Sequence, residues 1–424
     1  MSIKIAILGA GPAGCTLARL LQQGSDNISV TIFEGEASLN FRSQGGSLDL
    51  HGTTGQAALQ KAGLFAEFQK HARYDGEALK IADKNLLCYI NMSGASAPSS
   101  KSQSAAVLGG RPEIDRPVLR EMLFNSLLEG TVQWSKKVTK IDESLDIHFV
   151  DGTTQGKFDL IVGSDGAWSK ARPYLSDVKP YFSGIAGHSM TIENAEKTQP
   201  ELFKLVNRGS AFTFSDGKGI TAQYNGNGDI SVGIWNKRDA DWQSTYDVHD
   251  AAAVRKASRQ EFADWHPKLV ALTQVCTDDV VPRDLFMLPV GHSWPHRRGV
   301  TLIGDAAHVM TPFAGEGVNL ALEDAMKLSD AILSAASQAS DTKQASEALD
   351  PAVARFEQDM FKRATATQQM TLDMMDYMYD MPGAPRSCIA PYTLRAIRGP
   401  SPTTASWVLT PLVYAWFAVF KLIW

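Results

Sequence analysis

The opening of the chain restricts the fold more than any other stretch. Ile3 to Leu8 is a largely apolar run suited to a buried parallel strand, and Gly9-Ala10-Gly11-Pro12-Ala13-Gly14 follows it directly. A helix with Ala13, Leu17, Leu20 and Leu21 at inward spacing comes next, then a second apolar strand, Ile28 to Phe33, ending at Glu34. Glycines at this spacing between strand and helix allow a tight turn, close approach of a pyrophosphate and tight helix packing. Glu34 stands twenty positions beyond the last of them. A carboxylate there can hold both hydroxyls of an adenosine ribose and disfavours a 2′-phosphate. The nucleotide expected at this turn is therefore FAD or NAD rather than NADP.

A second corner lies at Thr301 to Asn319. Thr301-Leu302-Ile303 reads as an apolar strand, Gly304-Asp305 and Pro312-Phe313-Ala314-Gly315-Glu316-Gly317 as a glycine-rich loop. From Gly317 a helical period begins with Val318, Ala321, Leu322, Ala325, Leu328 and Ile332. Free amides and the macrodipole at a helix start favour a negative group in front of it. Gly315 and Gly317 bring the backbone close, while Asp305 accepts hydrogen bonds from hydroxyls and repels phosphate. Reduced flavin meets these demands, with its hydroxylated tail beside Asp305 and a ring that gains negative charge near Pro312, Gly315, Gly317, Val318 and Asn319. A plain strand–turn–helix corner capped by Asp305 is the simpler alternative.

Other stretches can complete the cleft. Asn40 to His51 carries Arg42, Gly45, Gly46 and Asp49 ahead of an alternating Leu48/Leu50 strand, read either as backbone passing a ligand or as an ordinary loop. Pro117 to Leu128 is a predicted helix, with Arg116 and Arg120 at its start. Positive charge there opposes the dipole and calls for an anion, either a ligand or Asp115 and Glu121. Phe158 to Val162 is another buried strand, and it runs into Gly163-Ser164-Asp165-Gly166.

From Pro180 to Pro289 the pattern changes to alternating strands: Tyr181 to Ile192, Ser210 to Phe214, Ile220 to Tyr224 and Asp229 to Trp235. Asn225-Gly226-Asn227-Gly228 is a hairpin signal between the last two. Short helices are predicted over Thr54 to Gly63 and His249 to Trp265, and a surface loop over Ser93 to Ala105. The expected architecture is α/β. A discontinuous Rossmann-like FAD-binding domain takes residues 1–73, 107–177 and 290–337. An inserted antiparallel-sheet substrate domain takes 178–289, with strands and a loop from 74–106, and a C-terminal helical segment with an apolar tail takes 338–424.

Length suits two or three domains, since the chain has 424 residues. The net charge of −5, with no basic block longer than Lys136-Lys137 or Arg297-Arg298, gives no reason to expect nucleic-acid binding. Four dispersed cysteines without a CxxC pair argue against a zinc site and suit a reducing compartment. The apolar run near the start stops at Gly9, which does not fit a secretory signal, so a cytoplasmic location is expected.

Met370, Met374 and Met378 recur every four residues near Tyr377, Tyr379 and Met381, as a packed helix face or as the lid of a flat apolar pocket. Trp407 to Trp424 is 18 residues with Lys421 as its only charge. As a helix it would span ~27 Å, short of a ~30 Å hydrocarbon core, and Pro411 interrupts it. Packing on the body or a partner subunit, lying on a membrane surface, and spanning all stay open. Arg386, Arg395 and Arg398 ahead of the tail favour anionic lipid.

Gly9-x-Gly11-x-x-Gly14 with Glu34, the Asp165-Gly166 turn, and Gly304-Asp305 with its loop occur in this order. Together they resemble the FAD-dependent class A monooxygenases of the para-hydroxybenzoate hydroxylase fold. A closer similarity, over residues 1 to about 370, is to the TetX-like tetracycline-inactivating monooxygenases. It rests on Gly45 to His51, Ile114-Asp115-Arg116 with Arg120, and Gly304 to His308 with Pro312 to Gly315.

That resemblance implies FAD and NADPH as cofactors, with Arg42 beside the nicotinamide donor and Asp49, Arg116 and Asp305 on FAD. The implied cycle has NADPH reduce FAD, O2 add at flavin C4a, and the distal oxygen pass to an electron-rich polycyclic or phenolic small molecule, such as a secondary metabolite. No catalytic side chain beyond the flavin and no metal is required. The family's substrate-binding Gln and Arg fall near Ser189 and Ser210, a departure that weighs against tetracycline itself. Candidate pocket walls are Ser189, Phe212, Phe214, Tyr224, Trp235, Pro312 and Phe313. A single complete GxGxxG implies that the donor binds transiently at the cleft. A flavin reductase or dehydrogenase without oxygen transfer, and a non-catalytic flavin-binding regulator, are the competing readings.

Overall fold

A computed structural model describes residues 2–41, 45–94, 110–338, 342–400 and 407–423. Arg42 and most of the expected Ser93–Ala105 loop lie outside the described residues. The centre is an all-parallel sheet with strand order Val300–Leu302, Leu160–Gly163, Ile3–Leu8, Ile28–Phe33, Val132–Gln133. Strands of this kind are buried on both faces, and Ile5, Ile7, Leu8 and Ile32 are indeed fully buried.

Helices Pro12–Gly24 and Gly317–Gln338 pack so tightly together that a Cβ on Gly24 would lie 2.4 Å from Leu333 Cδ1. Leu17, Leu21, Leu322, Leu328 and Ile332 are fully buried in this core, each contributing ~1.5–3 kcal/mol. The chain leaves the sheet after Gly163 and rejoins it at Val300, so the nucleotide fold is discontinuous.

The second sheet has seven strands in the order Val281–Met287, Tyr181–Ile192, Ile230–Lys237, Lys218–Tyr224, Ser210–Ser215, Leu79–Ala82, Cys88–Met92. All its pairs are antiparallel except Ser210–Ser215 with Leu79–Ala82. Asn225 closes the hairpin, its N–H donating to Asp229 O at 2.8 Å.

Helices Ala251–Glu261 and Pro267–Gln274 cover one face of this sheet. The expected helix from His249 to Trp265 is found, shorter, as Ala251–Glu261, and a further helix that was not expected starts beyond it at Pro267, a residue suited to a first helical turn. The other face receives Met370, Met374 and Met378 of helix Thr342–Tyr379, which are buried there as a packed face. Thr54 to Gly63 begins as a π-helical turn, Gly52–Gln56, before Ala57–Lys61. Gly55 is needed in that turn, because a Cβ would stand 2.6 Å from Asn319 Oδ1.

Candidate cofactor and substrate cleft

The first glycine turn is built by close approach. Gly9 has φ +102°, and a Cβ there would meet Ser164 O at 2.6 Å; one on Gly14 would meet Gly9 O at 2.2 Å. Gly11 differs, since among the described residues nothing lies within 4 Å of where its Cβ would be. The turn is closed toward the protein and open on the side of Gly11. Helix Pro12–Gly24 has no side-chain cap, and Pro12 supplies no N–H, so Ala13 and Gly14 begin an anion-accepting helix start. Glu34 accepts from Ala10 N at 2.7 Å and Glu36 N at 2.9 Å, one bond on each oxygen. Its position is fixed while lone pairs remain for hydroxyl donors.

The Asp165 turn is tied to the first. Ser164 Oγ donates to Leu8 O at 2.9 Å, and Lys170 N donates to Asp165 Oδ2 at 2.6 Å. Asp165 Oδ1 is buried without a partner among the described residues, and desolvation raises this carboxyl above the usual range. Buried Arg172 then clips the turn to the third motif, donating to Ala167 O, Ala306 O and Asp305 O at 2.9, 2.8 and 3.1 Å. The Asp305 carboxylate is left exposed on the open side.

Arg116 is likewise exposed there. The surrounding protein desolvates its guanidinium and pulls its pKa below the ordinary arginine value; nearby Asp305 opposes this and Arg283 adds to it. Arg120 is different. It is buried, and its anion is a protein carboxylate, Glu36, at 2.5 Å.

Pro312–Ala314 form a 3-10 turn, Gly315 has φ +68°, and the long helix starts at Gly317 with Val318 beside it. Among the described residues no atom lies within 4 Å of a Cβ on Gly317. Asn319 is fully buried and spent on the protein: its Oδ1 accepts from His51 N at 2.8 Å and its Nδ2 donates to Asp49 O at 2.9 Å. Asn319 is therefore a positioning residue, stapling the Ser47–Asp49 strand to the helix start.

The sequence reading gave no role to His51, Glu316 or Asp324. His51 lies between Asp49, at 2.9 Å, and Glu316, at 3.4 Å. Burial alone would lower its pKa, but the two carboxylates raise it to about 9. Behind Gly304, Asp324 is fully buried and takes His308 Nε2 at 2.6 Å, Arg363 Nη1 at 2.9 Å and Gly304 N at 3.1 Å. Burial would raise its carboxyl, yet His308 and Arg363 hold it below the usual range. An Asp about two helical turns into an apolar stripe, as Asp324 is, was the available signal.

Cross-strand register sorts the candidate walls. One row across the seven-stranded sheet is Ile81, Phe212, Thr221, Gly233, Ser189. The next is Phe214, Gly219, Trp235, Gly187, Arg283. Both rows lie on one face. A third row, Ser210 and Gln223, meets the nucleotide fold, where Gln223 accepts from Ser47 N and Ser210 Oγ donates to Glu113. The Trp235 indole lies against Gly233, whose Cβ would stand 2.4 Å from Nε1, and donates to Thr221 Oγ1 at 3.1 Å.

Phe313, next to Pro312, packs on Tyr379 with ring centroids 5.0 Å apart. Two expected walls require correction. Tyr224 pairs with Ile230 on the opposite face and packs on Phe203, because strand alternation turns it away. Phe214 shares the face but is fully buried against Tyr392, so it supports the wall without lining it. Arg283, exposed at the end of its row, was missed; an arginine in an edge strand carries no local motif.

Open glycines, an Asp165 oxygen unpartnered among the described residues, exposed Arg116, and exposed Asp305 between buried neighbours fit an extended dinucleotide whose ring reaches Gly315. The fold and these residues define a flavin-dependent monooxygenase of class A. The chain belongs to the FAD binding domain family, which it matches over residues 2–347. It is 29% identical to monooxygenase penA of Penicillium thymicola, over 90% of this chain and 96% of that one. Its fold is that of Klebsiella pneumoniae HpxO complexed with FAD and uric acid, with TM-score 0.72 and 18% identity over 97% of this chain and 96% of that one. It is also that of the tetracycline destructase Tet(51), with TM-score 0.64 and 19% identity over 95% and 98%.

Proposed function

We propose that this chain uses NADPH to drive insertion of one oxygen atom from O2 into a polycyclic or phenolic small molecule of secondary metabolism. The observation that carries this reading is the pairing of two unlike surfaces. The hydrogen-bonded motifs of Glu34, Asp165 and Asp305 face the open side of the nucleotide fold. Trp235 shares an apolar cluster with Phe313 and Ala314 of the loop, and Phe212 lies on the same face of the sheet. FAD bound there would supply the electron transfer and the activation of O2.

The chain's own residues do the rest. Glu34 is placed to take the ribose hydroxyls, the Gly11 to Gly14 helix start and Arg116 the pyrophosphate, and Asp305 the ribityl hydroxyls. Gly315 to Val318 present backbone amides to the pyrimidine end of the ring, where negative charge gathers. Ser189, Phe212, Trp235 and Phe313 bound a flat, dry site. Arg283, at the end of the Trp235 row, gives it a positive end, which favours an electron-rich phenol or enol.

Arg42 is assigned to the nicotinamide donor, and the cytoplasm is the proposed location. The test is stopped-flow flavin reduction by NADPH, followed by substrate-stimulated uptake of isotopically labelled O2. Label in the product is expected; reduction and O2 uptake with no label under a phenolic library would overturn oxygen transfer. Arg42→Ala should slow reduction while FAD is retained, whereas Asp305→Ala should lose FAD. Equal FAD loss in the two variants contradicts that division.

A further inference from the structure

The C-terminal helix Thr410–Ile423 touches the protein along one narrow stripe. Phe417 is buried, Phe420 meets Tyr89 with ring centroids 5.4 Å apart, and Arg386 donates to Lys421 O at 2.6 Å. Among the described residues the rest of its circumference is open and, Lys421 apart, apolar. Leu412 is 65% exposed, Trp416 70%, Val419 56% and Ile423 69%, at spacings that place them along one side of a helix. Trp407 and Tyr414 extend the same surface. A helix that merely faced water would carry charge on that side. Contiguous apolar surface of this extent marks an interaction site.

Along the sequence leading into it the charge has one sign, and the nearby acidic side chains Asp83 and Asp373 lie on the side that meets the protein. No acidic residue follows Asp380, while Arg386, Arg395, Arg398 and Lys421 do. Arg395 is neutralised by Asp373 at 2.7 Å. Arg386 and Arg398 instead hold neutral groups: Arg386 takes a carbonyl, and Arg398 takes the Thr410 hydroxyl and the face of Trp407 at 3.7 Å.

We propose that this helix docks the protein on an anionic lipid bilayer surface, lying in the interfacial plane. Fourteen residues make a helix of ~21 Å, too short for a ~30 Å core; among the described residues no helix is long and apolar enough to cross a membrane. Tryptophan and tyrosine suit the headgroup boundary, and the arginines and Lys421 match its negative potential. A second copy fits less well, because a two-fold contact through this surface would set the same positive charges against each other.

The inference is independent of the oxygen-transfer reading. The full-length, FAD-loaded protein is sedimented with vesicles of phosphatidylcholine alone and of phosphatidylcholine mixed with phosphatidylserine. Binding to the mixed vesicles, weakened by salt, is expected. Lys421→Glu should lower partitioning by roughly tenfold, and Leu412→Glu with Trp416→Glu should abolish it, both with flavin absorbance unchanged. Absence of wild-type binding to mixed vesicles overturns the proposal. So does equal binding by the double variant, or concentration-dependent dimers that the double variant disperses in the absence of vesicle binding.

Discussion

The nucleotide fold and the substrate sheet are held by different kinds of contact. Around the glycine turns the tolerances are backbone to backbone: Gly14 faces Gly9 O and Gly9 faces Ser164 O. At the expected wall on the sheet the contacts are side chain to side chain, as where Trp235 meets Thr221 or Phe313 meets Tyr379. Backbone contacts have nowhere to move, whereas side chains can re-pack. The cofactor half should therefore fail abruptly when altered, and the substrate half should drift.

Matched glycine substitutions break or sharpen that contrast most directly. Gly14→Ala places a Cβ 2.2 Å from a fixed carbonyl, and the purified protein should retain no FAD. Gly233→Ala places one 2.4 Å from Trp235 Nε1, which can rotate away. It should keep full FAD absorbance and raise substrate KM about tenfold, the usual effect of one methyl in an apolar site. FAD loss of similar size in both would erase the distinction.

The next effect in size is at Asp324. Asp324→Asn leaves His308 and Arg363 facing a neutral group in a fully buried site. Breaking such a pair costs about 3–5 kcal/mol, read as a lower urea midpoint with FAD bound. An unchanged midpoint would mean that Glu323 and Asp359, at 3.4 and 2.9 Å from Arg363, suffice.

His51 gives a smaller effect that depends on pH. Its pKa is raised from 6.5 to about 9, so the charged ring's contribution is fully present below pH 6.5 and is lost as pH climbs through about 9. The shift corresponds to about 3 kcal/mol between those limits. Urea unfolding across that window should show wild-type stability falling as pH rises, and His51→Gln should flatten the curve. Parallel slopes would place the titrating group elsewhere.

The same contrast explains what the sequence disclosed. Motifs carried by neighbouring residues were legible: the turn at Gly9 to Gly14, Glu34, the helix start at Gly317, the strand Tyr181–Ile192. Features made by register or distant pairing were not. Arg120 asks for an anion, but only the fold shows that Glu36 supplies it. Tyr224 and Trp235 look equally suited to a wall, and only strand pairing turns one to the opposite face of the sheet. The long helix end at Met370 to Met378 showed its period but not its neighbour, because both of its readings need an apolar face.

The smallest effect tests whether the substrate wall is positioned by its polar contacts at all. Trp235→Phe keeps an aromatic ring beside Gly233 and removes only the bond from Nε1 to Thr221 Oγ1, 3.1 Å long. Thr221 also reaches Gly233 O at 3.4 Å, so its hydroxyl keeps a partner. A net hydrogen bond contributes ~0.5–1.5 kcal/mol, so KM should rise about fivefold while FAD affinity and NADPH-driven reduction stay at wild-type values. If KM is unchanged, the indole acts through its flat surface alone. If FAD affinity falls with it, the sheet face and the nucleotide fold are coupled, and the two halves cannot be treated as separately tunable.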